Sequence, residues 1–146
     1  MSDIDTLRRI LATSRVIAVV GLSAQWHRPS YFAAKYMKEH GYRIVPVNPG
    51  YPSILGERCY PSLQALPPEV AAAVDIVDCF RRTEDILPIA RDAVAIGAKV
   101  LWTQLGVRDD EAARLAEAAG LKVVMNRCPK IELFRPFWKP RLNQAI

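Results

Sequence analysis

The chain lacks an apolar run approaching the roughly 20 residues of a membrane-spanning helix, so no membrane span is expected. Its start, Met1-Ser2-Asp3-Ile4-Asp5, is acidic and lacks the basic-then-apolar layout of a secretory signal. Cysteine is scarce: Cys59, Cys79 and Cys128 form no CxxC pair and have no histidine at metal spacing. That speaks against a disulfide framework or a zinc site and predicts reduced thiols in a cytoplasmic protein. Histidine is scarcer still, with His27 and His40 alone. There is no Gly-x-Gly-x-x-Gly fingerprint and no Gly-x-Ser-x-Gly elbow. A basic body is missing too. The formal charge is +5, but Arg127, Lys130, Arg135, Lys139 and Arg141, against Glu132, carry most of it. Residues 1–126 are therefore nearly neutral, which speaks against duplex nucleic acid as a partner, since it wants a basic face.

What is present fits one domain spanning 1–146, with 129–146 as a basic, aromatic C-terminal tail. A chain of 146 residues, 51% hydrophobic and 24% charged, is ordinary globular usage. One phrase recurs: Gly41-Tyr42-Arg43-Ile44-Val45, Gly97-Ala98-Lys99-Val100-Leu101 and Gly120-Leu121-Lys122-Val123-Val124. Each is Gly, one residue, a cation, then aliphatics, and each follows a helix-like stretch. A glycine just past a helix followed by a buried strand is the αβ half of a βαβ unit. Arg15–Gly21 and Asp75–Phe80 supply two further strands. Helices are predicted from about Asp3 to Thr13 and near 30–40, 86–96 and 109–119. The third should start at Ile86 with Asp85 as N-cap, which keeps Pro88 in the first turn. Residues 48–68 read as loop with one short strand and one helical turn. The expected fold is α/β: a Rossmann-like, doubly wound, mainly parallel sheet of about five strands with helices on both faces.

Such sheets bind ligands at the carboxyl ends of their strands. The first strand ends in Gly21-Leu22-Ser23-Ala24, and the loop continues through His27 and Arg28 to Pro29-Ser30. Pro-Ser is a plausible helix start, where free N–H groups favour an anion. The segment reads equally as a phosphate loop or as a surface turn with a cap. The second strand ends in Val47-Asn48-Pro49, with no carboxylate to hold the ribose of NAD. The third ends in Phe80-Arg81-Arg82, a pair suited to a phosphate or simply to solvent. The fourth ends in Thr103-Gln104-Leu105-Gly106, which fits a pocket floor or an ordinary loop.

Taken in order, these segments resemble the CoA-binding domain family: the small stand-alone proteins similar to the CoA-binding domain of the succinyl-CoA synthetase alpha subunit. The phrases are Gly21-Leu22-Ser23, Arg28-Pro29-Ser30-Tyr31, Gly41 to Pro49, Asp75-Ile76-Val77-Asp78 with Phe80-Arg81, Leu101 to Gly106, and Arg127-Cys128. The resemblance implies bound coenzyme A. By that analogy Gly21, Leu22, Ser23 and Ala24, with Arg28, Pro29 and Ser30, contact the phosphates. Val47, Asn48 and Pro49 contact the adenosine. Phe80, Arg81 and Arg82 lie along the ligand, and Gln104 and Gly106 complete the set. The synthetase reaction, which uses a phosphorylated histidine of a further domain and a partner subunit, is not carried over.

No catalytic constellation stands out. His40, at a helix end before Gly41, reads as structural, and His27 has no evident carboxylate partner. Asp75, Asp78, Glu84-Asp85 and Asp109-Asp110-Glu111 read as caps and solvated faces, and Cys128 as a small buried residue. The expectation is a binder of coenzyme A or an acyl-CoA without its own reaction. Two alternatives stay open. One is a nucleotide- or NAD(P)-dependent enzyme with a degenerate fingerprint. The other is a module whose tail, with Phe134, Pro136, Phe137, Trp138 and Pro140 interleaved with Arg135, Lys139 and Arg141, docks on a partner subunit or on single-stranded nucleic acid; a homo-oligomer or a partner protein is also left open.

Overall fold

The computed structural model describes residues 4–127, so Cys128 and the tail 129–146 lie outside the described residues. In chain order the elements are α1 (Ile4–Thr13), β1 (Val16–Val20), α2 (Pro29–Glu39), β2 (Arg43–Val47), β3 (Ser53–Ile54) and β4 (Glu57–Arg58). Then come α3 (Pro68–Ala71), β5 (Ile76–Cys79), α4 (Ile86–Ala95), β6 (Val100–Thr103), α5 (Asp110–Ala118) and β7 (Lys122–Val124). Five strands form one parallel sheet in the order β2-β1-β5-β6-β7, which is the Rossmann-like α/β architecture expected.

Both faces of the sheet are covered. Leu7 and Leu11 of α1 and Ala33, Ala34 and Met37 of α2 pack with Ile17, Val19, Ile76 and Trp102 on one face. Val70 of α3, Ala90 and Ala93 of α4 and Ala112 and Ala116 of α5 pack with Ala18, Val77 and Leu101 on the other. Alternate residues of one strand thus serve opposite cores, as the pleat requires. This is why β1 and β6 read as unbroken apolar runs.

The second half of the chain starts its helices differently at two places. Asp109 caps α5 as its sequence position suggests, its carboxylate accepting the Ala112 N–H at 2.9 Å. Helix α4 does begin at Ile86 with Asp85 in the N-cap position, but the Asp85 side chain does not cap it. A 3₁₀ turn, Thr83–Asp85, runs straight into the helix, and the Asp85 side chain makes no capping bond. The stretch 48–68 holds more than one short strand and one turn. Its β3 and β4 pair antiparallel in a minimal hairpin, followed by a 3₁₀ turn at Leu63–Ala65 and the start of α3.

The topology sets up the site. From β1 the chain moves outward to β2, then returns across β1 to place β5 on its other side. Strand order therefore reverses between β1 and β5, the switch point at which open α/β sheets form a crevice. Register brings the strand ends level: Val20 pairs with Val47 and with Cys79, and Cys79 pairs with Thr103. Gly21, Asn48, Phe80 and Gln104 consequently leave the sheet side by side.

Candidate functional site

A cleft of about 710 Å³ opens over that switch point. Gly21, Ser23, Arg28, Pro29, Ser30, Phe80, Arg81, Arg82 and Gln104 all line it, joined by Gln25, Tyr51 and Asp85. A recess of about 300 Å³ adjoins it on the β2 side, sharing Gly21, Arg81 and Asp85 and adding Val47 and Pro49. Leu22, Ala24, Asn48 and Gly106 line neither.

Gly21 sits at φ +87°, and a Cβ there would stand 2.3 Å from the Phe80 carbonyl oxygen and 2.8 Å from Arg81 Cδ. The glycine therefore does more than turn the chain towards a ligand. It lets the ends of β1 and β5 close on each other. Beyond it, Leu22 is fully buried in the core. The loop is held by Ser30, whose Oγ accepts the Ser23 N–H at 3.0 Å, and by Ser23, whose Oγ accepts the Gln25 N–H at 3.1 Å. Helix α2 then starts with Pro29 in its first turn and no side-chain cap at Arg28. Its N-terminal end faces the cleft at Arg28, Pro29 and Ser30 without a competing carboxylate of its own.

The Asn48 side chain is engaged within the protein. Its Nδ2 donates to the Leu22 carbonyl at 3.0 Å and its Oδ1 accepts the Gly50 N–H at 2.8 Å, tying the β2 end to the β1 loop. Across the cleft, Arg81 and Arg82 converge on Asp85, at 3.7 and 3.3 Å. The Arg82 guanidinium, hydrogen-bonded to it, holds the Asp85 carboxyl below its ordinary value. Both arginines are exposed enough to turn from Asp85 to a ligand, their side chains being 45% and 73% accessible.

Gln104 stands on a turn fastened at several points. The Thr103 hydroxyl donates to the Val107 carbonyl at 2.7 Å, and the Val107 N–H donates to the Gln104 carbonyl at 3.0 Å. Asn126, at φ +61°, accepts the Gly106 N–H through its Oδ1 at 2.6 Å. Trp102 donates its indole N–H to the Arg127 carbonyl at 2.8 Å. The Gln104 side chain reaches inward, and its Nε2 donates to Asp78 Oδ1.

Asp78 overturns a sequence reading. It is no solvated face but fully buried in β5, and burial pushes its carboxyl well above the ordinary range. The sheet places β5 between β1 and β6 with helices over both faces, so neither of its faces offers water. Asp75 is also more than a cap or surface acid. It accepts the Arg15 and Val16 N–H groups at 2.8 and 3.0 Å and pairs with Lys99 at 3.1 Å. Tyr51 and Asp85 were missed as cleft residues because nothing local marks them; the hairpin and the helix-entry turn bring them in. His27 is exposed beside Trp26. His40 ends α2, its Nδ1 bonding the Tyr36 carbonyl at 2.9 Å. Among the described residues no cluster of His, Cys, Asp and Glu could hold a metal ion, and no helix is long and apolar enough to cross a membrane.

A Rossmann-like sheet whose switch-point cleft gathers three arginines and an open helix N-terminus has the features that favour an anionic group. The CoA-binding domain family matches residues 15–133, and the chain belongs to that family. It is 37% identical over 125 residues to the uncharacterized protein YneT of Bacillus subtilis, covering 86% of this chain and 90% of that one. It is 29% identical over 121 residues to the ADP-forming acetate–CoA ligase I of Archaeoglobus fulgidus, covering 78% of this chain but 18% of the ligase. Among solved structures it is similar to Prb, the PH1109 protein redesigned for binding, with TM-score 0.87, 36% identity and 94% of each chain covered.

Proposed function

We propose that the protein binds coenzyme A, free or acylated, in the cleft above β1 and β5, and acts as a binding protein rather than a catalyst. The observation that carries this reading is the convergence of Arg28, Arg81 and Arg82 with the start of α2 on one crevice, in a member of a CoA-binding family. Coenzyme A brings a diphosphate and a 3′-phosphate, and guanidinium groups and helix N-termini both favour such charge. The diphosphate would lie over Gly21 against Arg28 and the α2 N-terminus. The adenosine would take the recess beside Val47 and Pro49, and the pantetheine arm would run towards Gln104. The absence of a carboxylate at the end of β2 supports this ligand over NAD. The hydroxyls of Ser23 and Ser30 are engaged with backbone N–H groups, which suits holding a ligand more than attacking one.

Calorimetry with coenzyme A is the direct test. Arg28→Ala and Arg81→Ala should each weaken binding by roughly 10–100-fold, the worth of one charge-assisted contact. Both should also flatten the loss of affinity with added salt, since fewer exposed charges remain to be screened. No heat with coenzyme A at millimolar levels would sink the proposal. So would recovery of NAD(P) as the ligand carried through purification. Acetyl-CoA incubated with the protein should be recovered intact.

A further inference from the structure

Asp78 is a costly side chain to bury. It is fully buried, and its Oδ2 has no hydrogen-bond partner among the described residues. Its register partners are Val19 on β1 and Trp102 on β6, both fully buried in the core that also holds Ala33 and Ala34 of α2. A well-packed apolar residue in such surroundings is often as good or better for stability. Among the described residues the side chain of Asp78 has one hydrogen-bond partner, the Gln104 side chain, and Gln104 lines the cleft. The Gln104 backbone is already locked by the Thr103–Val107 and Gly106–Asn126 bonds. Its side-chain torsions are the freedom that remains, and Asp78 removes it.

We infer that Asp78 is a positioning residue for ligand recognition, pinning the Gln104 amide at the cleft floor so that it meets the arm of the ligand and not its nucleotide. The inference rests on the coenzyme A reading above. Placement argues for the arm. Gln104 directly follows β6, on the far side of β5 from β1, whereas the Val47–Pro49 recess lies beyond β1 at the β2 edge of the sheet. The arginines stand between, so a ligand whose nucleotide fills the recess and whose phosphates meet the arginines has its arm left for Gln104. With its Nε2 given to Asp78, the polar atom that Gln104 has left to offer is Oε1, an acceptor in a cleft otherwise rich in donors. The pantetheine arm carries amide N–H groups that such an acceptor would receive. Loss of the pin would leave a flexible side chain that must be ordered at each binding event, and the cost would fall on ligands that have an arm.

The experiment compares two ligands on the full chain: coenzyme A, and adenosine 3′-phosphate 5′-diphosphate, which keeps the nucleotide and lacks the arm. Asp78→Ala should weaken coenzyme A about 10-fold, the worth of one hydrogen bond, and leave the armless nucleotide within about 2-fold. Gln104→Ala should show the same selective loss, and the double variant should lose no more than either single one. Asp78→Asn keeps an acceptor for Nε2 and should restore the wild-type ratio. If Asp78→Ala does not fold, the wild-type protein still decides. Its Gln104 side-chain amide NMR signal, identified by its absence in Gln104→Ala, should shift with coenzyme A and stay still with the armless nucleotide. Equal losses for both ligands, or an amide signal unmoved by coenzyme A, overturn the inference while leaving coenzyme A binding standing. If neither ligand binds the wild type, the functional reading falls first.

Discussion

At Gly21 two demands meet on one residue. The backbone stands at φ +87°, and the Phe80 carbonyl oxygen occupies the place where a Cβ would go, 2.3 Å away. Gly21→Ala should therefore cost about 2–5 kcal/mol, combining left-handed strain with a backbone clash that no rotamer can relieve. A thermal midpoint within about a degree of wild type would contradict the close approach. The glycine itself was legible, because it ends an apolar run; the reason for it was not, since Phe80 is far along the chain. Asp78 shows the same limit from the other side. Asp75-Ile76-Val77-Asp78 looks like an apolar stretch edged with solvated acids, and only the assembled sheet shows that Asp78 has no route to water.

Among the elements, α5 depends most plainly on a local signal. Asp109 accepts the Ala112 N–H, and Asp110 and Glu111 follow in the first turn where the helix dipole favours them. Asp109→Ala should lower stability by about 1 kcal/mol, read as a shift in the urea midpoint with unchanged slope. An unchanged midpoint would mean that the cap contributes nothing. Helices and long strands were readable because each repeats its pattern over several turns or pleats. The Ser53–Ile54 and Glu57–Arg58 strands were not, since two residues carry no period. The Asp85 cap misled for a related reason. An acid before a helix is a good N-cap on statistics, but two neighbouring arginines compete for the same carboxylate and hold it.

Seen across the whole molecule, β5 has one carboxyl group at its entry and another within it, with opposite responses to pH. Burial would raise Asp75, but the Arg15 and Val16 N–H groups and Lys99 outweigh it, and its carboxyl lies below the usual range. Its contribution is present above the unfolded-state value near 3.9 and is lost as pH falls through the lower folded value. Asp78 is raised by burial, so its contribution is complete below about 3.9 and is lost as pH rises through the higher folded value. Asp75→Asn should accordingly cost about 1–3 kcal/mol at neutral pH, with the difference from wild type shrinking in acid. Asp78→Asn should instead gain on wild type as pH rises from about 4. Thermal midpoints measured across pH check both, and parallel curves for all three proteins would refute the assignments. The reversal of strand order has a consequence for the folding reaction. The β1–β2 pair closes within one βαβ unit, but β1 meets β5 through contacts such as Ile17 with Ile76, far apart along the chain. Both walls of the cleft belong to that long-range seam. A chain whose two halves have parted there has no crevice, so any ligand held in it acts as a clasp across the seam and slows the opening by mass action.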